Sequence, residues 1–256
     1  MKHQLDLLRI MATRGLLKLD VISLPFITEL DTVFAGGPPR AEKTYTNRLR
    51  IGGVKIVMDG SPQGRTAAFT TPYLTDGPAG QKDWKGELSF PQPLLNEMVK
   101  KVYDGGAPLF VHCNGDAAID ALLEAHRFAA GDDPTRPRGT VGVHSQFIRP
   151  DQLQKYAAWK ITPSFFTLHC FYFGDTHVAN RGLAQAEAIS PLKSARALGL
   201  RPSNHTDFNV SPLNQLFTIH TAVNRTTRSG RVLGANERVT PLEALEAITI
   251  DGARQY

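Results

Sequence analysis

The sequence predicts an α/β fold on a parallel sheet closed in the manner of a (β/α)8 barrel, and three observations lead there. Short apolar segments alternate with amphipathic helical ones along the chain. Three residues able to bind metal, His112, His144 and Asp207, end three different apolar segments, APLFVH, TVGVH and LRPSNHTD. A barrel gathers such ends on one rim, whereas an open sheet strings them along a line. Finally, no GxGxxG or GxxxxGK[ST] pattern follows a predicted strand, which removes the usual nucleotide reason for an open doubly wound sheet.

Taken in order, the opening segment reads as an amphipathic helix, with Met1, Leu5, Leu8 and Ala12 at helical spacing and Gly15 as its terminator. Residues 19–26, LDVISLPF, read as a buried strand. A polar stretch rich in Pro and Gly runs to Arg50, and residues 51–58 form the next strand, closed by a Gly turn. A helix over 92–103 leads to a strand at 107–112, and a helix over 117–129 leads to one at 140–144. A helix over 151–159 is followed by a strand at 161–166. A helix over 189–199 leads to a strand at 201–207, and a last helix begins at Thr240. Six strands are countable in this way.

Composition narrows the function classes. A chain of 256 residues, 41% hydrophobic and 21% charged, is ordinary for one large domain spanning 1–256. Lys, Arg, Asp, Gly or Pro interrupts every apolar run before it reaches the roughly 20 residues a bilayer span needs, so no membrane role is expected. The 29 basic and 24 acidic residues leave a net charge of +5 that is scattered and forms no stripe, so no nucleic-acid partner is expected. The opening segment carries Asp and Arg where a signal peptide needs an apolar core. Cys113 and Cys170 form neither a disulfide framework nor a cysteine zinc site. These features place the protein in the reducing cytoplasm.

Imidazole nitrogens and carboxylate oxygens suit zinc or a similar divalent ion, and water bound to such an ion becomes a nucleophile near neutral pH. A single strand-end histidine is more often structural, but two histidines and an aspartate, each closing a strand, weigh toward a shared site. Lys55 lies inside an apolar strand, where its ammonium must escape, pair or be neutralised. A lysine snorkelling at a strand edge is the plainer reading of that residue taken alone.

The blocks KIVMDGSPQGRTAAFTTPY (55–73), VHCNGDAAID (111–120), the strand ending at His144, PSFFTLHCFYFGDTH (163–177), SNHTDFNVSPL (203–213), AVNRTTRSG (222–230) and ERVTPLEALEAITIDGA (237–253) follow one another along the chain. Together they resemble the metal-dependent amidohydrolase superfamily, and within it the amidohydrolase-3 branch that includes N-substituted formamide deformylase. The resemblance implies a (β/α)8 barrel holding one or two divalent ions, zinc by preference, through Lys55, His112, His144 and Asp207. It further implies that Lys55 is carboxylated by CO2 into an anionic bridging ligand. Asp207 would also be the catalytic residue that carries the proton from the attacking water to the leaving nitrogen.

His169 and His177, in the loop after a strand, match the deformylase-like pattern and would contact substrate or stabilise an oxyanion; ordinary loop residues are the equal alternative. Ser61, Gln63 and Arg65 are candidates to line the substrate pocket. Asp59 and Asp116 are expected to orient ligating groups, and Cys113 to pack. His205 would share the face of Asp207 if the strand stays extended. His3, His126 and His220 are read as structural or surface residues.

The sequence also departs from that pattern. No HxH pair occurs, and neither part of a flanking β-sandwich is recognisable. The expected fold is therefore a partial barrel with about six of eight strands, whose open edges invite a homo-oligomer. Metal binding by the chain alone is expected to be weak. The function expected is metal-dependent hydrolysis of a non-peptide C–N bond in a small amide of the N-formyl type. The alternative is a truncated, catalytically impaired barrel acting as a binding or regulatory module. Deacetylases and cyclic-amide hydrolases on the same barrel differ only in substrate.

Overall fold

The computed structural model describes residues 2–256, with side-chain surroundings from Leu5 onward. Met1 and the side chain of His3 lie outside what is described. The chain runs through α1 (Lys2–Thr13), β1 (Val21–Ser23), α2 (Leu30–Val33), β2 (Leu49–Ile51), β3 (Val54–Val57), α3 (Gln92–Gly105), β4 (Leu109–Cys113), α4 (Asp116–Ala130), β5 (Thr140–His144) and α5 (Pro150–Trp159). It continues with β6 (Thr162–Phe165), α6 (Leu168–Arg181), α7 (Leu183–Glu187), α8 (Leu192–Ala197), β7 (Ser203–Asn204), α9 (Gln215–Asn224), α10 (Pro241–Ile248) and α11 (Ile250–Ala253). No helix among the described residues is long and apolar enough to cross a membrane.

Strands β3 to β7 form an all-parallel sheet in sequential order, and β1 pairs with β2 in a separate parallel ladder. A parallel bridge between Phe26 and Lys55 continues that ladder onto the edge of β3, where the Lys55 N–H donates to the Pro25 carbonyl at 2.8 Å. Residues 21–26 thus run beside 49–57 as one strand pair. Six adjacent parallel segments with helices between them make the partial (β/α)8-type barrel.

The expected strand at 51–58 is broken where Gly52 and Gly53 let neighbouring chains approach closely. A Cβ on Gly53 would stand 2.5 Å from the Pro108 carbonyl oxygen that leads into β4. On the outer face Val54, Ile56, Leu109 and Val111 pack against Leu95, Val99 and Val102 of α3 and Ile119 and Leu122 of α4. This layer holds the strand ends in place.

Five expectations need correction. The strand expected over 201–207 is only Ser203–Asn204, so Asp207 stands beyond it in a turn with φ +50°. His205 and Asp207 therefore do not share one face of an extended strand. The segment carrying His169 and His177 is helix α6 and not a loop. Its pattern is hidden because it is apolar on more than one side, with Gly174 admitting Thr227 and Leu233 against its backbone. The helix expected over 189–199 shortens to Leu192–Ala197 behind Pro191, and the last helix is split at Thr249.

The fit at Gly53 generates a test. Gly53→Ala should destabilise the protein by about 1–3 kcal/mol, because the new methyl forces β3 away from the Pro108 carbonyl. Urea unfolding measures this directly.

Candidate functional site

The carboxyl ends of the parallel strands deliver the chemically capable side chains to one rim. Lys55 is the second residue of β3 and pairs in register with Phe110, while His112 pairs with Val57 and Val143. Strict alternation would leave His144 on the side of Gly142, whose missing Cβ lies against Tyr156 of α5. Instead His144 adopts φ +68°, and its ring packs 4.6 Å from that of His112 and 4.9 Å from that of His205. Its Nε2 faces Asp207 Oδ2 at 4.0 Å. Two left-handed non-glycine residues thus aim two of the expected site residues at each other, a backbone cost characteristic of functional sites.

Asp59, which follows β3, organises the next layer. Its Oδ2 accepts the N–H groups of Ala68 and Gly115 and its Oδ1 that of Asn114, all at 2.9–3.0 Å. His112 is held from both sides. Its Nδ1 lies 3.2 Å from Asp59 Oδ1 but off line for a hydrogen bond, and its Nε2 lies 3.1 Å from Asn114 Nδ2. Asp116 accepts from the Thr70 N–H and hydroxyl and pairs with Arg149. Both aspartates thus bind the backbone and loop around the rim, Asp59 lying beside His112 without a hydrogen bond to it and Asp116 making its bonds to Thr70 and Arg149.

Burial sets the charge state of the rim. It pulls the Lys55 amine down to about 8 against the opposing influence of Cys113 and Asp207. It pulls His205 to about 3, with Lys55 adding to the effect. His144 falls well below the ordinary imidazole range, through burial first and then His205, His112 and Lys55. Asp207 is raised by burial, with His112 and Lys55 opposing. Cys113 is raised to about 12 by burial, and its sulfur lies 3.6 Å from Tyr156 Oη, which suits a packing residue.

A cavity of about 390 Å3 opens beside these groups, lined among others by Lys55, Phe110, Ser164, His205 and Asp207. Of the expected site residues, only Lys55 and Asp207 line it. Ser61, Gln63 and Arg65 sit in the turn after β3, where the Thr66 hydroxyl accepts the Ser61 N–H and Arg65 donates to the Asp76 carbonyl. Gln63 Oε1 is buried without a partner. His169 and His177 are buried side by side in α6, with Nδ1 and Nε2 2.9 Å apart. His126 is structural, bound to Tyr103 and to the Pro134 carbonyl.

The donors suit a divalent ion in kind. His112 Nδ1, His144 Nδ1 and His205 Nε2 are buried without a hydrogen-bond partner. Among the described residues no three His, Cys, Asp or Glu side chains are placed to hold one ion, so Lys55 would have to contribute. Sequence reasoning underweighted His205, whose ring stacks on Phe166 at 5.2 Å beside His144. Its signal was its place two residues before Asp207.

Two tests follow. Asp59→Ala strands three backbone N–H groups and should cost about 3 kcal/mol or more in urea unfolding. The buried histidines also set an acid limit. His177 falls from 6.5 to about 3 through burial, so the unfolded chain binds more protons below pH 6.5. Its contribution is complete above that pH and is lost as pH falls toward 3. Between pH 6 and 4 the stability of His177→Phe should therefore fall less steeply than that of wild type, the difference approaching about 1.4 kcal/mol per pH unit.

The sequence pattern of the amidohydrolase family matches residues 2–256. Protein LONG AFTER FAR-RED 3 of Arabidopsis thaliana is 27% identical over 211 residues, covering 80% of this chain and 35% of that protein. YtcJ of Bacillus subtilis (strain 168), named as an amidohydrolase, is 23% identical over 215 residues, covering 81% and 38%. A crystal structure described as an uncharacterized metal-dependent hydrolase from Pyrococcus furiosus superposes with a TM-score of 0.81 at 27% identity, over 98% of this chain and 49% of that one. Its counterpart from Pyrococcus horikoshii OT3 gives 0.82 at 25% identity, with the same coverage. The chain spans about half the length of these structures and less of the two curated relatives.

Proposed function

Because the chain belongs to the amidohydrolase family, we propose that its rim serves the hydrolysis of a non-peptide C–N bond in a small amide of the N-formyl type. The observation that carries this reading is the approach of His144 Nε2 to Asp207 Oδ2 at 4.0 Å, made by two residues of left-handed backbone, one closing β5 and the other in the turn beyond β7. The description of the Pyrococcus proteins as metal-dependent hydrolases supports a divalent ion here as well. Zinc suits the nitrogen and oxygen donors.

Because no three His, Cys, Asp or Glu side chains among the described residues are placed to hold an ion by themselves, a carboxylated, anionic Lys55 would have to join His112, His144 and Asp207 as a ligand. Bound there, the ion would polarise the amide carbonyl and make water a better nucleophile. The chain's own residues supply the rest. Asp207 takes a proton from the attacking water onto its carboxylate and returns it to the leaving nitrogen, so that an amine departs. His112, fixed by Asp59 and Asn114, keeps its ring in one orientation on the rim.

Ser61, Gln63, Arg65 and His169 would approach the substrate from outside the cavity that Lys55 and Asp207 line, with His177 behind His169. The rings of Phe110, Phe208 and Tyr256 that line the cavity give it an apolar wall suited to an aryl or alkyl amine. The buried free cysteines accord with a cytoplasmic setting. The open sheet edges favour association with a second copy.

Replacing Asp207 with Asn tests the reading. With the zinc-reconstituted protein and an N-formyl amine, turnover should fall on the order of 10^2 to 10^4-fold while far-UV circular dichroism is unchanged. Turnover within a few-fold of wild type would refute the assigned proton transfer.

A further inference from the structure

Helix α6 carries a pair of imidazoles that no step above uses. His169 Nδ1 and His177 Nε2 are 2.9 Å apart, and the two rings are nearly coplanar, with 5° between their planes. One proton therefore lies between them along a direct N–H···N line. Phe147 and Phe173 pack on His177, and Phe166 and Phe173 on His169, so the pair sits in an aromatic cage. The contacts run from His177 through His169 to Phe166, whose ring His144 and His205 flank on the rim.

Two proton arrangements are open to such a pair, and they leave different groups stranded. If His169 Nδ1–H donates, His177 must carry its other proton on Nδ1, which is buried with no partner. Stranded buried N–H groups are rare, and bare acceptors less so. If His177 Nε2–H donates, Nδ1 of His177 is a bare lone pair against phenyl rings, and His169 keeps its proton on Nε2. In that arrangement both rings are in the Nε2–H form that neutral histidine intrinsically prefers.

We infer that His177 is a positioning residue that locks His169 as the neutral Nε2–H tautomer, making His169 a standing hydrogen-bond donor to the oxyanion of the substrate. The donor role rests on the hydrolase reading; the tautomer does not. As water oxygen bonds to the carbonyl carbon, the C=O π pair moves onto oxygen, and a donor already in place stabilises that charge without reorganising. The Nε2 of His169 makes no hydrogen bond to the described residues and is not one of their buried unpartnered nitrogens, so a substrate oxygen can reach it. Burial keeps both imidazoles below the usual range, His177 at about 3, and a neutral donor holds its proton through the cycle.

The test begins with 15N NMR of the 256-residue chain without substrate, since the shift separates a protonated ring nitrogen from a bare one. Expected are a bare Nδ1 and protonated Nε2 on His169, with a protonated Nε2 on His177. A proton on His169 Nδ1 overturns the inference whatever the enzyme hydrolyses. In the zinc-reconstituted protein, His177→Gln keeps an N–H donor toward His169 and should retain kcat within a few-fold. His177→Phe, which has none, should lower kcat at least tenfold with KM little changed. Equal effects of the two substitutions would also overturn it. The expected tautomers in a chain that hydrolyses no amide would instead count against the hydrolase reading alone.

Discussion

The carboxylate of Asp59 is the constraint on which the rim depends. Its side chain is fully buried, and it accepts from three backbone N–H groups in two separate segments, the start of α4 and the long loop after β3. Each is a charge-assisted bond in a place water does not reach, where such bonds are strongest and their loss most costly. That loop lacks regular structure from Met58 to Pro91 and would otherwise hang free. Instead it is pinned at Ala68 by Asp59 and at Thr70 by Asp116. At Thr71 and Pro72 the guanidinium of Arg181 holds it, over the ring of Phe69. The site is thus built on strand ends beside an anchored loop.

Desolvation then fixes how the rim can act. Several imidazoles within one short span would repel one another if charged, and burial removes the water that could soften the repulsion. The structure resolves this by keeping His144, His169, His177 and His205 neutral. Neutral imidazoles have bare lone pairs to offer, so the burial that forbids protonation also leaves the ring nitrogens as ligands or oriented donors. Burial draws the Lys55 amine down in the same way, with Cys113 and Asp207 opposing.

Much of this was legible in the sequence where periodicity and chemistry coincide. The strands ending near His112 and His144 and the helices over 92–103 and 117–129 stand where alternating apolar segments place them. Other features were not legible because their cause lies elsewhere in the chain. The break at Gly52 and Gly53 answers to Ile22 and Pro108. Helix α6 buries His169, His177, Asn180 and Arg181 beside Leu168 and Cys170, so burial follows no clean apolar stripe. The strand before Asp207 is short because its partner β6 ends at Phe165, and nothing in the residue order announces the left-handed backbone at Asp207.

That last point bears on why His144 and Asp207 meet at all. On an ideal pleat, His144 would follow Gly142 toward α5 and leave the inner face to Val143. A positive φ at a residue with a Cβ costs free energy, and the fold bears that cost at His144, at Ser145 beside it, and at Asp207. What stabilises the turned conformation is local and visible. The Ser145 hydroxyl donates to the Gly142 carbonyl and contacts Tyr156 Oη, while the Gln146 amide donates to Ser190. These bonds hold the chain just after β5 in the conformation that turns His144 inward. The side chain that departs from the pleat is therefore held by its neighbours in sequence, and its ring can face Asp207 across the rim with no strand shifting its register.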